Sequence, residues 1–184
     1  MKNIVVFGAS NSRNSINQQL AQWAGQQLEG AQVKVLDLND YEMPIYGIDK
    51  ELASGIPAEA TQFLKDIEEA DALVISFAEH NGNYSAAYKN IFDWASRADR
   101  SVYKNKPTFV MSTSPGPGGA GSVINIAKGS LPYAGADVKG SFSLPSFGQN
   151  FSAEEGIVEG ELKAKFDAEF SNFKEAVYET SIEA

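Results

Sequence analysis

Short runs of mostly apolar residues recur along this chain, and each is followed by a longer segment whose apolar residues share one helical face. The runs are Asn3–Phe7, Gln32–Leu36, Ala72–Phe77, Thr108–Ser112 and Asp137–Phe142. Several show little alternation between apolar and polar positions, which is typical of strands in a parallel sheet covered by helices on both faces. The pattern therefore predicts an α/β fold with a five-stranded parallel sheet.

The first predicted helix follows the first run after a polar loop. Its apolar residues recur at the spacing of one helical face: Ile16, Leu20, Trp23, Ala24 and Leu28. Ser15, with Gln18 three residues later, predicts a capping box at the start of this helix, and Gly30 predicts its end.

Four further helices are predicted along the rest of the chain. One opens near Pro57, one covers about Ser85–Ser96, one follows the glycine-rich "SPGPGGAGS", and one covers roughly Gly160–Tyr178. The residues expected on buried faces are Phe63, Leu64 and Ile67 in the first of these, and Leu162, Phe166, Phe170 and Phe173 in the last. Strands and helices that alternate with short connections predict one doubly wound domain over residues 1–184.

Composition narrows what such a domain can do. The chain has no cysteine and a single histidine, His80, which excludes thiolate nucleophiles, thiolate metal sites and multi-histidine metal centres. Any redox chemistry would therefore need a bound cofactor. The formal net charge of -9 disfavours nucleic acid and anionic membranes as partners.

The sequence contains no pattern typical of a membrane anchor or an export signal. The longest apolar run, at residues 72–78, is far shorter than the roughly 20 residues that span a bilayer. The N-terminus leads into a short strand without an extended apolar region or a small-residue cleavage site. We expect a cytoplasmic protein that does not insert into membranes.

Three unusual loops, at residues 8–15, 78–85 and 113–121, follow strands whose carboxyl ends meet at one edge of such a sheet, where ligands bind. The first loop offers hydroxyls, amides and one guanidinium just before a helix: Ser10, Asn11, Ser12, Arg13, Asn14 and Ser15. These groups suit a phosphate. Neither G-x-x-x-x-G-K-[ST] nor G-x-G-x-x-G is present, so a terminal monophosphate fits better than a triphosphate. A polar loop that only caps the helix is the alternative.

The other two loops could hold a flat ring. The third contains Gly116, Gly118, Gly119 and Gly121, and glycines let backbone approach a planar ligand. The second places Glu79, His80, Asn81 and Gly82 directly after the apolar strand. An ordinary flexible loop and a surface histidine are the alternatives. A planar heteroaromatic ring between two loops, with its monophosphate at a third, describes flavin mononucleotide (FMN).

Four segments, in order, resemble motifs of the NAD(P)H-dependent FMN reductases, the flavodoxin-like group that includes chromate, quinone and azo reductases. The segment "GASNSRNSIN" is similar to that group's G-S-x-R-x-x-S-x-N loop, and "LDLNDYEMPIY" to its D-L-x-x-Y-x-x-P segment. The segment "AEHNGNYSAAYKNIFDWAS" resembles P-E-Y-N-x-S-x-P-x-x-L-K-N-x-x-D-W, and "STSPGPGGAG" resembles the glycine-rich flavin loop. The resemblance covers roughly residues 3 to 145 and implies the flavodoxin-like strand order 2-1-3-4-5.

The resemblance also implies a site for FMN. The residues implied to hold its phosphate are Ser10, Ser12, Arg13, Ser15, Ile16 and Asn17, with Ile16 acting through its backbone N–H. Those implied to line the isoalloxazine ring are Glu79, His80, Asn81 and Gly82 on one loop and Ser114, Gly116 and Gly119 on the other, with Pro44 and Ile45 at the ring's edge. No residue is implied as a catalytic acid, a catalytic base or a metal ligand.

Some positions depart from the family pattern. His80 stands where the family has tyrosine, and an imidazole there would alter access of the hydride donor or the flavin's potential. Asn83 and Ser85 correspond to the family's serine and proline, and Tyr88 replaces a leucine. The retained residues Lys89, Asn90, Asp93 and Trp94 are expected to organise a helix and a subunit interface rather than to touch the flavin.

By resemblance, the chain is an FMN-dependent oxidoreductase. It would pass hydride from NADPH or NADH through FMN to a small-molecule acceptor such as a quinone, azo compound, nitro compound, oxyanion or free flavin. One alternative is a flavodoxin-type electron carrier, which the acidic charge favours. Another is a non-catalytic flavin-binding module. The family also implies a homodimer or homotetramer.

Overall fold

The computed structural model describes residues 1–179. The strands in this range are β1 (Asn3–Ala9), β2 (Gln32–Val35), β3 (Ala72–Phe77), β4 (Glu79–His80), β5 (Asn83–Tyr84), β6 (Pro107–Thr113), β7 (Asp137–Leu144), β8 (Phe151–Ser152) and β9 (Gly156–Ile157). The α-helices are α1 (Ile16–Gln26), α2 (Ile48–Ser54), α3 (Ala58–Glu68), α4 (Ala86–Ala98), α5 (Gly121–Ser130), α6 (Phe147–Asn150) and α7 (Gly160–Glu179). Short 3-10 helices cover Leu38–Tyr41 and Leu131–Ala134. The predicted single domain reaches residue 184 and stays a prediction, since residues 180–184 lie outside the described range.

The main sheet within residues 1–179 is parallel and runs in the order β2-β1-β3-β6-β7. Counted over its own five strands, this is 2-1-3-4-5, so the predicted fold class and strand order are confirmed. β4 pairs with β5, and β8 with β9, as antiparallel ladders of two residues per strand. The order of strands reverses between β1 and β3, which places a ligand-binding crevice at their carboxyl ends.

The predicted strands are all present, and most of the differences are at their carboxyl ends. β1 and β7 each run two residues further than predicted, to Ala9 and Leu144, and β6 gains one residue at each end. β2 stops one residue early, at Val35. The extension of β1 follows from pairing with its neighbour, because Ala9 lies opposite Phe77 of β3.

Two apolar layers cover the sheet and explain its continuous apolar strands. α1 and α7 pack on one face, and the predicted inward stripe of α7 is buried there at Phe166, Phe170 and Phe173. Leu162 is only partly buried. α3, α4 and α5 pack on the other face. All six residues of β3 are buried between the layers. None of the helices within residues 1–179 combines the length and apolar character needed to cross a bilayer.

The first helix shows one correct and two incorrect details of the prediction. Ser15 caps α1, since its side chain accepts a hydrogen bond from the Gln18 N–H. The reciprocal half of the predicted capping box is wrong, because the Gln18 side chain bonds elsewhere, to Gly8 and Leu36. The predicted end at Gly30 is also wrong. α1 ends at Gln26, and the next N–H groups bond carbonyls three residues back, which tightens the last turn.

The sequence pattern missed α2, whose seven residues include none that is buried. A helix without a buried face has no apolar stripe directed at the core, and this removes the signal on which the prediction depends. The helix predicted to open near Pro57 is α3, with Pro57 as its N-cap and Phe63, Leu64 and Ile67 buried as expected. The helix predicted over Ser85–Ser96 is α4, which Ser85 caps through the Tyr88 N–H.

Candidate functional site

The three unusual loops lie side by side, because they follow the adjacent parallel strands β1, β3 and β6. Direct hydrogen bonds join them or their flanking residues. The Ser85 hydroxyl donates to the Ala9 carbonyl at 2.8 Å, which links the end of the second loop to the first strand. The Asn17 side chain, just after the first loop, bonds both backbone groups of Thr113, where the third loop begins.

The first loop is an ordered turn at the N-terminus of α1. The Ser12 N–H donates to the Ser10 hydroxyl at 3.1 Å, and the Ser15 N–H donates to the Ser12 carbonyl at 3.2 Å. The first N–H groups of a helix have no intrahelical partner. In α1, the Ser15 side chain accepts a hydrogen bond from one of these groups, the N–H of Gln18. Arg13 is exposed and forms no ion pair with any residue in the range 1–179. The turn therefore combines helix N–H groups, hydroxyls and an unpaired cation, which is the chemistry of an anion site.

Close packing beneath this turn depends on Gly8. A Cβ on Gly8 would lie 2.7 Å from the Gln18 Cα and closer still to its backbone nitrogen, so only glycine lets β1 approach α1 this tightly. The Gln18 side chain accepts from the Gly8 N–H at 2.6 Å and donates to the Leu36 carbonyl at 3.2 Å. These bonds satisfy backbone groups at the ends of two strands, which explains why Gln18 does not complete the capping box.

Asn17 is buried, and its side chain is fully engaged beneath the loop. Its Oδ1 accepts from the Ser76 hydroxyl at 2.7 Å and from the Thr113 N–H at 3.0 Å, while its Nδ2 donates to the Thr113 carbonyl at 3.2 Å. Asn17 thus holds α1 against β3 and β6. Sequence reasoning missed Ser76 and Thr113 as supports of the site. The available signal was a serine within an otherwise apolar strand.

The second loop contains a β-hairpin. Glu79 lies opposite Tyr84 and His80 opposite Asn83, and the two residues at the tip have φ values of 52° and 74°. Two central residues with positive φ define the type I′ turn, for which Asn-Gly is the favoured sequence. The dipeptide "NG" after an apolar strand was therefore a signal for this hairpin. The tip residues, Asn81 and Gly82, are exposed together with His80.

Glu79 directs its carboxylate to the helix that follows the third loop. Its Oε2 accepts from the Val123 N–H at 2.9 Å, in the first turn of α5. The N-cap residue of α5 is Ala120, which has a left-handed backbone with φ of 62° and no side-chain oxygen. A carboxylate from the second loop thus caps the helix that follows the third.

The glycine carbonyls of the third loop attach it to β6, to β7 and to the residues just after β7. The Gly119 carbonyl accepts from the hydroxyls of Ser112, at 2.8 Å, and Ser143, at 2.7 Å. The Gly116 carbonyl accepts from the Ser146 N–H at 2.8 Å and from the Ser114 hydroxyl at 3.2 Å. Gly119 is buried, with φ of 59°, and a Cβ there would overlap the Ser143 hydroxyl. A Cβ on Gly116, Gly118 or Gly121 would meet open space, so the loop has room for a ligand beside each of these glycines.

A fourth segment, after β2, forms a wall beside the first loop. The Asn90 side chain donates to the carbonyls of Met43 and Pro44 and accepts from the Tyr46 N–H, and the Trp94 indole donates to the Pro44 carbonyl at 2.8 Å. These bonds hold the backbone on both sides of Ile45, a residue that is 77% exposed. The retained Asn90 and Trp94 therefore position this wall.

Two cavities lie near these loops. One of about 230 Å³ is bounded by the first loop at Asn11, by the wall at Met43 and Ile45, and by the start of α4. A larger groove of about 520 Å³ touches the glycine loop at Pro117 and Gly118 but lies between β7 and α7. The smaller cavity is thus the one that adjoins the switch point between β1 and β3.

A buried polar network anchors the wall from behind. The Asp66 carboxylate accepts from the Tyr41 hydroxyl at 2.5 Å, from Lys34 Nζ at 2.7 Å and from Gln62 Nε2 at 3.0 Å. Burial by itself would raise the pKa of Asp66, but the hydrogen bonds from Lys34 and Tyr41 outweigh it, and the pKa lies below the usual value. Burial, together with the bond to Asp66, raises the pKa of the Tyr41 hydroxyl far above its usual value.

Comparison with known proteins agrees with this fold. The family model described as NADPH-dependent FMN reductase matches residues 2–149. An NADPH:quinone oxidoreductase of Arabidopsis thaliana is 31% identical over 139 residues, which cover 74% of this chain and 69% of that protein. A 2-hydroxy-1,4-benzoquinone reductase of a Burkholderia species is 33% identical over 71% of this chain and 70% of its own length. Among solved structures, the flavoenzyme NAD(P)H:(acceptor) oxidoreductase FerB of Paracoccus denitrificans superposes with a TM-score of 0.75 and 26% identity, covering 97% of this chain and 98% of FerB.

The arginine of the first loop is displaced relative to the motif it resembles. Aligned on Ser15 and Asn17, the pattern G-S-x-R-x-x-S-x-N places its arginine at position 12, which is serine in this chain. The guanidinium comes one residue later, at Arg13. A hydroxyl and a cation thus stand next to each other at the tip of the turn.

Proposed function

Because the chain belongs to the NADPH-dependent FMN reductase family, we propose that it oxidises NAD(P)H and reduces a quinone-type small molecule, with FMN held at the three loops. Family membership makes it an NAD(P)H-dependent oxidoreductase that uses FMN. The choice of quinones as acceptors is supported by the names of its relatives, which include quinone oxidoreductases and quinone reductases.

The observation that carries the proposal is the anion site at the start of α1. The phosphate of FMN would lie there, held by hydroxyls of the turn, by the Arg13 guanidinium and by the N–H groups of Ile16 and Asn17. The hydroxyls assigned to it are those of Ser10, Ser12 and Ser15. A single phosphate matches a turn with one cation and one helix N-terminus.

The ring of FMN would lie between the hairpin and the glycine loop. The hairpin presents His80, Asn81 and Gly82, together with the backbone of Glu79, and the glycine loop presents Gly116 and Ser114, with Gly119 anchoring its base. Pro44 and Ile45 would close the edge of the ring. Once bound, FMN supplies the hydride and electron chemistry, and the protein binds it, orients it and excludes wasteful reactions.

Assembly and location belong to the same proposal. We place the enzyme in the cytoplasm, where NAD(P)H is available, as a homodimer or homotetramer. The exposed residues Ile45, Ile48 and Leu52 support self-association. They lie close in sequence, in or just before α2, and no residue of this helix is buried.

An anaerobic absorbance titration tests the activity. The FMN-loaded protein is mixed with NADPH, with NADH in a parallel sample, and then with a benzoquinone. We expect the visible flavin absorbance to disappear with a donor and to return with the quinone. Bound FMN that ignores both donors would favour an electron carrier, and a protein that binds no FMN would contradict the proposal.

A further inference from the structure

We propose that Glu79 is a positioning residue. Its carboxylate joins the hairpin to the glycine loop and does not touch the flavin. The inference rests on the proposed function, which assigns the ring of FMN to the space between the hairpin and the glycine loop. Its physical basis is the hydrogen bond from the Val123 N–H to Glu79 Oε2, which is 2.9 Å long.

The N-terminus of α5 has no cap of its own. Ala120 at the N-cap position has no side-chain acceptor, and the first turn of α5 contains no acidic residue. The N–H groups of this turn lack intrahelical partners, and a negative charge near them is stabilising. Glu79 supplies both an acceptor and the charge from a different loop. It is half-buried, so water competes less for the bond than at an exposed cap.

The hairpin holds α5 at both ends. Glu79 and Tyr84 lie opposite each other in the ladder of β4 and β5, and facing residues of such a pair project on the same side. Glu79 bonds the first turn of α5, while the Tyr84 hydroxyl bonds the hydroxyl of Ser130, the last residue of the helix, at 2.7 Å. The two attachments make the hairpin and α5 move together.

This arrangement completes the support of the glycine loop. On the side of the sheet, the loop is held through the Gly119 carbonyl by Ser112 of β6 and Ser143 of β7. On the side of the hairpin, the bond between Glu79 and Val123 holds the turn that follows the loop. Loss of the Glu79 carboxylate should therefore let the distance between the hairpin and the glycine loop vary more, and this should weaken FMN binding.

The test compares two carboxylate caps in one chain. Glu159 is the matched control, because its carboxylate accepts from the N–H groups of Glu161 and Leu162 at the start of α7. Glu79→Ala, Glu79→Gln and Glu159→Ala are each titrated with FMN by fluorescence quenching. Thermal unfolding and hydrogen exchange are measured on the same proteins without FMN.

We expect Glu79→Ala to raise the dissociation constant of FMN about tenfold, because the free energy of a lost helix cap corresponds to a change of about that size. It should also speed exchange of the Val123 amide in the FMN-free protein. Glu79→Gln keeps an acceptor oxygen and should recover most of the affinity. Both Glu79→Ala and Glu159→Ala should lower the unfolding temperature by about 2–4 °C. Glu159→Ala should leave FMN affinity unchanged.

Two outcomes would overturn the inference. Unchanged FMN affinity and Val123 exchange in Glu79→Ala would show that the cap does not position the loop. Equal weakening by Glu79→Ala and Glu79→Gln, with normal Val123 exchange in both, would mean that the carboxylate contacts the ligand directly. Failure of the wild-type protein to bind FMN would instead refute the proposed function, and the exchange measurement would still test the cap.

Discussion

Two helices begin at the same edge of the sheet, α1 after the first loop and α5 after the third, and their N-termini are used differently. α1 is capped by Ser15, the residue just before it, and Arg13 in the preceding loop forms no ion pair within residues 1–179. α5 has no cap of its own and receives the carboxylate of Glu79. Both helices carry the same partial positive charge at this end.

The difference favours α1 over α5 as the helix that would hold the phosphate in the proposed FMN site. At α5 a carboxylate already occupies the first turn, so a second anion would meet like charge. At α1 the neutral Ser15 hydroxyl satisfies one N–H and adds no negative charge, and Arg13 adds a positive one. In the proposed site, the phosphate of FMN would therefore lie at α1, and the glycine loop held through α5 would contact the ring.

Removal of the cation at α1 should have the largest effect. Arg13→Ala should weaken FMN binding by roughly tenfold to a hundredfold, because a charge-assisted hydrogen bond contributes about 1.5–3 kcal/mol. Quenching of FMN fluorescence measures the affinity. Arg100, another exposed arginine, lies beyond α4, and the control variant Arg100→Ala should bind FMN normally. Unchanged affinity in Arg13→Ala would remove the contrast between the two helices.

Glycine substitutions probe how tightly each loop is packed. Gly8→Ala should lower the free energy of unfolding by about 1–3 kcal/mol, because the new methyl group would overlap the backbone of Gln18. Gly116→Ala in the glycine loop meets open space and should stay within about 0.5 kcal/mol of the wild type. Urea unfolding measures both. Equal costs would show that α1 tolerates a looser approach of β1 than its geometry indicates.

The cap of α1 should contribute less than the packing beneath it. Ser15→Ala removes the acceptor for the Gln18 N–H and should cost about 1 kcal/mol of unfolding free energy. Ser122→Ala, at an exposed serine in the first turn of α5, is the matched control and should change stability little. Chemical denaturation compares them. A similar loss in both variants would mean that Ser15 does not act as the cap.

The smallest effect should come from the network behind the wall, and acid pH is needed to reveal it. The pKa of Asp66 in the folded protein lies below the usual 3.8, so its carboxylate stabilises the fold above that pH. This stability is lost as the pH falls through the folded-state pKa. Urea midpoints should therefore decline on acidification, and Asp66→Asn should remove part of that decline.

The exposed Asp167, which pairs with Lys163 on α7, is the control for this titration. Asp167→Asn should keep the acid profile of the wild type, since this pair lies on the surface. An unaltered profile in Asp66→Asn would show that the bonds from Lys34 and Tyr41 do not depend on the charge of Asp66.

The elements that were predicted well are those with a buried face. β3, α3 and α7 each carry a run or stripe of apolar residues, and the sheet and its two layers follow from such local patterns. α2 was missed because it buries nothing. The hairpin at Asn81 was missed although its turn signal was present, since each of its strands has only two residues.

The sequence by itself determined the fold class, the two faces of the sheet and the three loops that meet at one edge. These depend on periodicity and on the order of strands and helices, which are local properties. Only the tertiary structure decided which polar groups support the site. Glu79 reaches a helix 44 residues away, and Asn17 bonds a strand 96 residues away. Such bonds depend on distances between segments that are remote in sequence, and a side chain's type and spacing do not reveal the partner that folding brings to it.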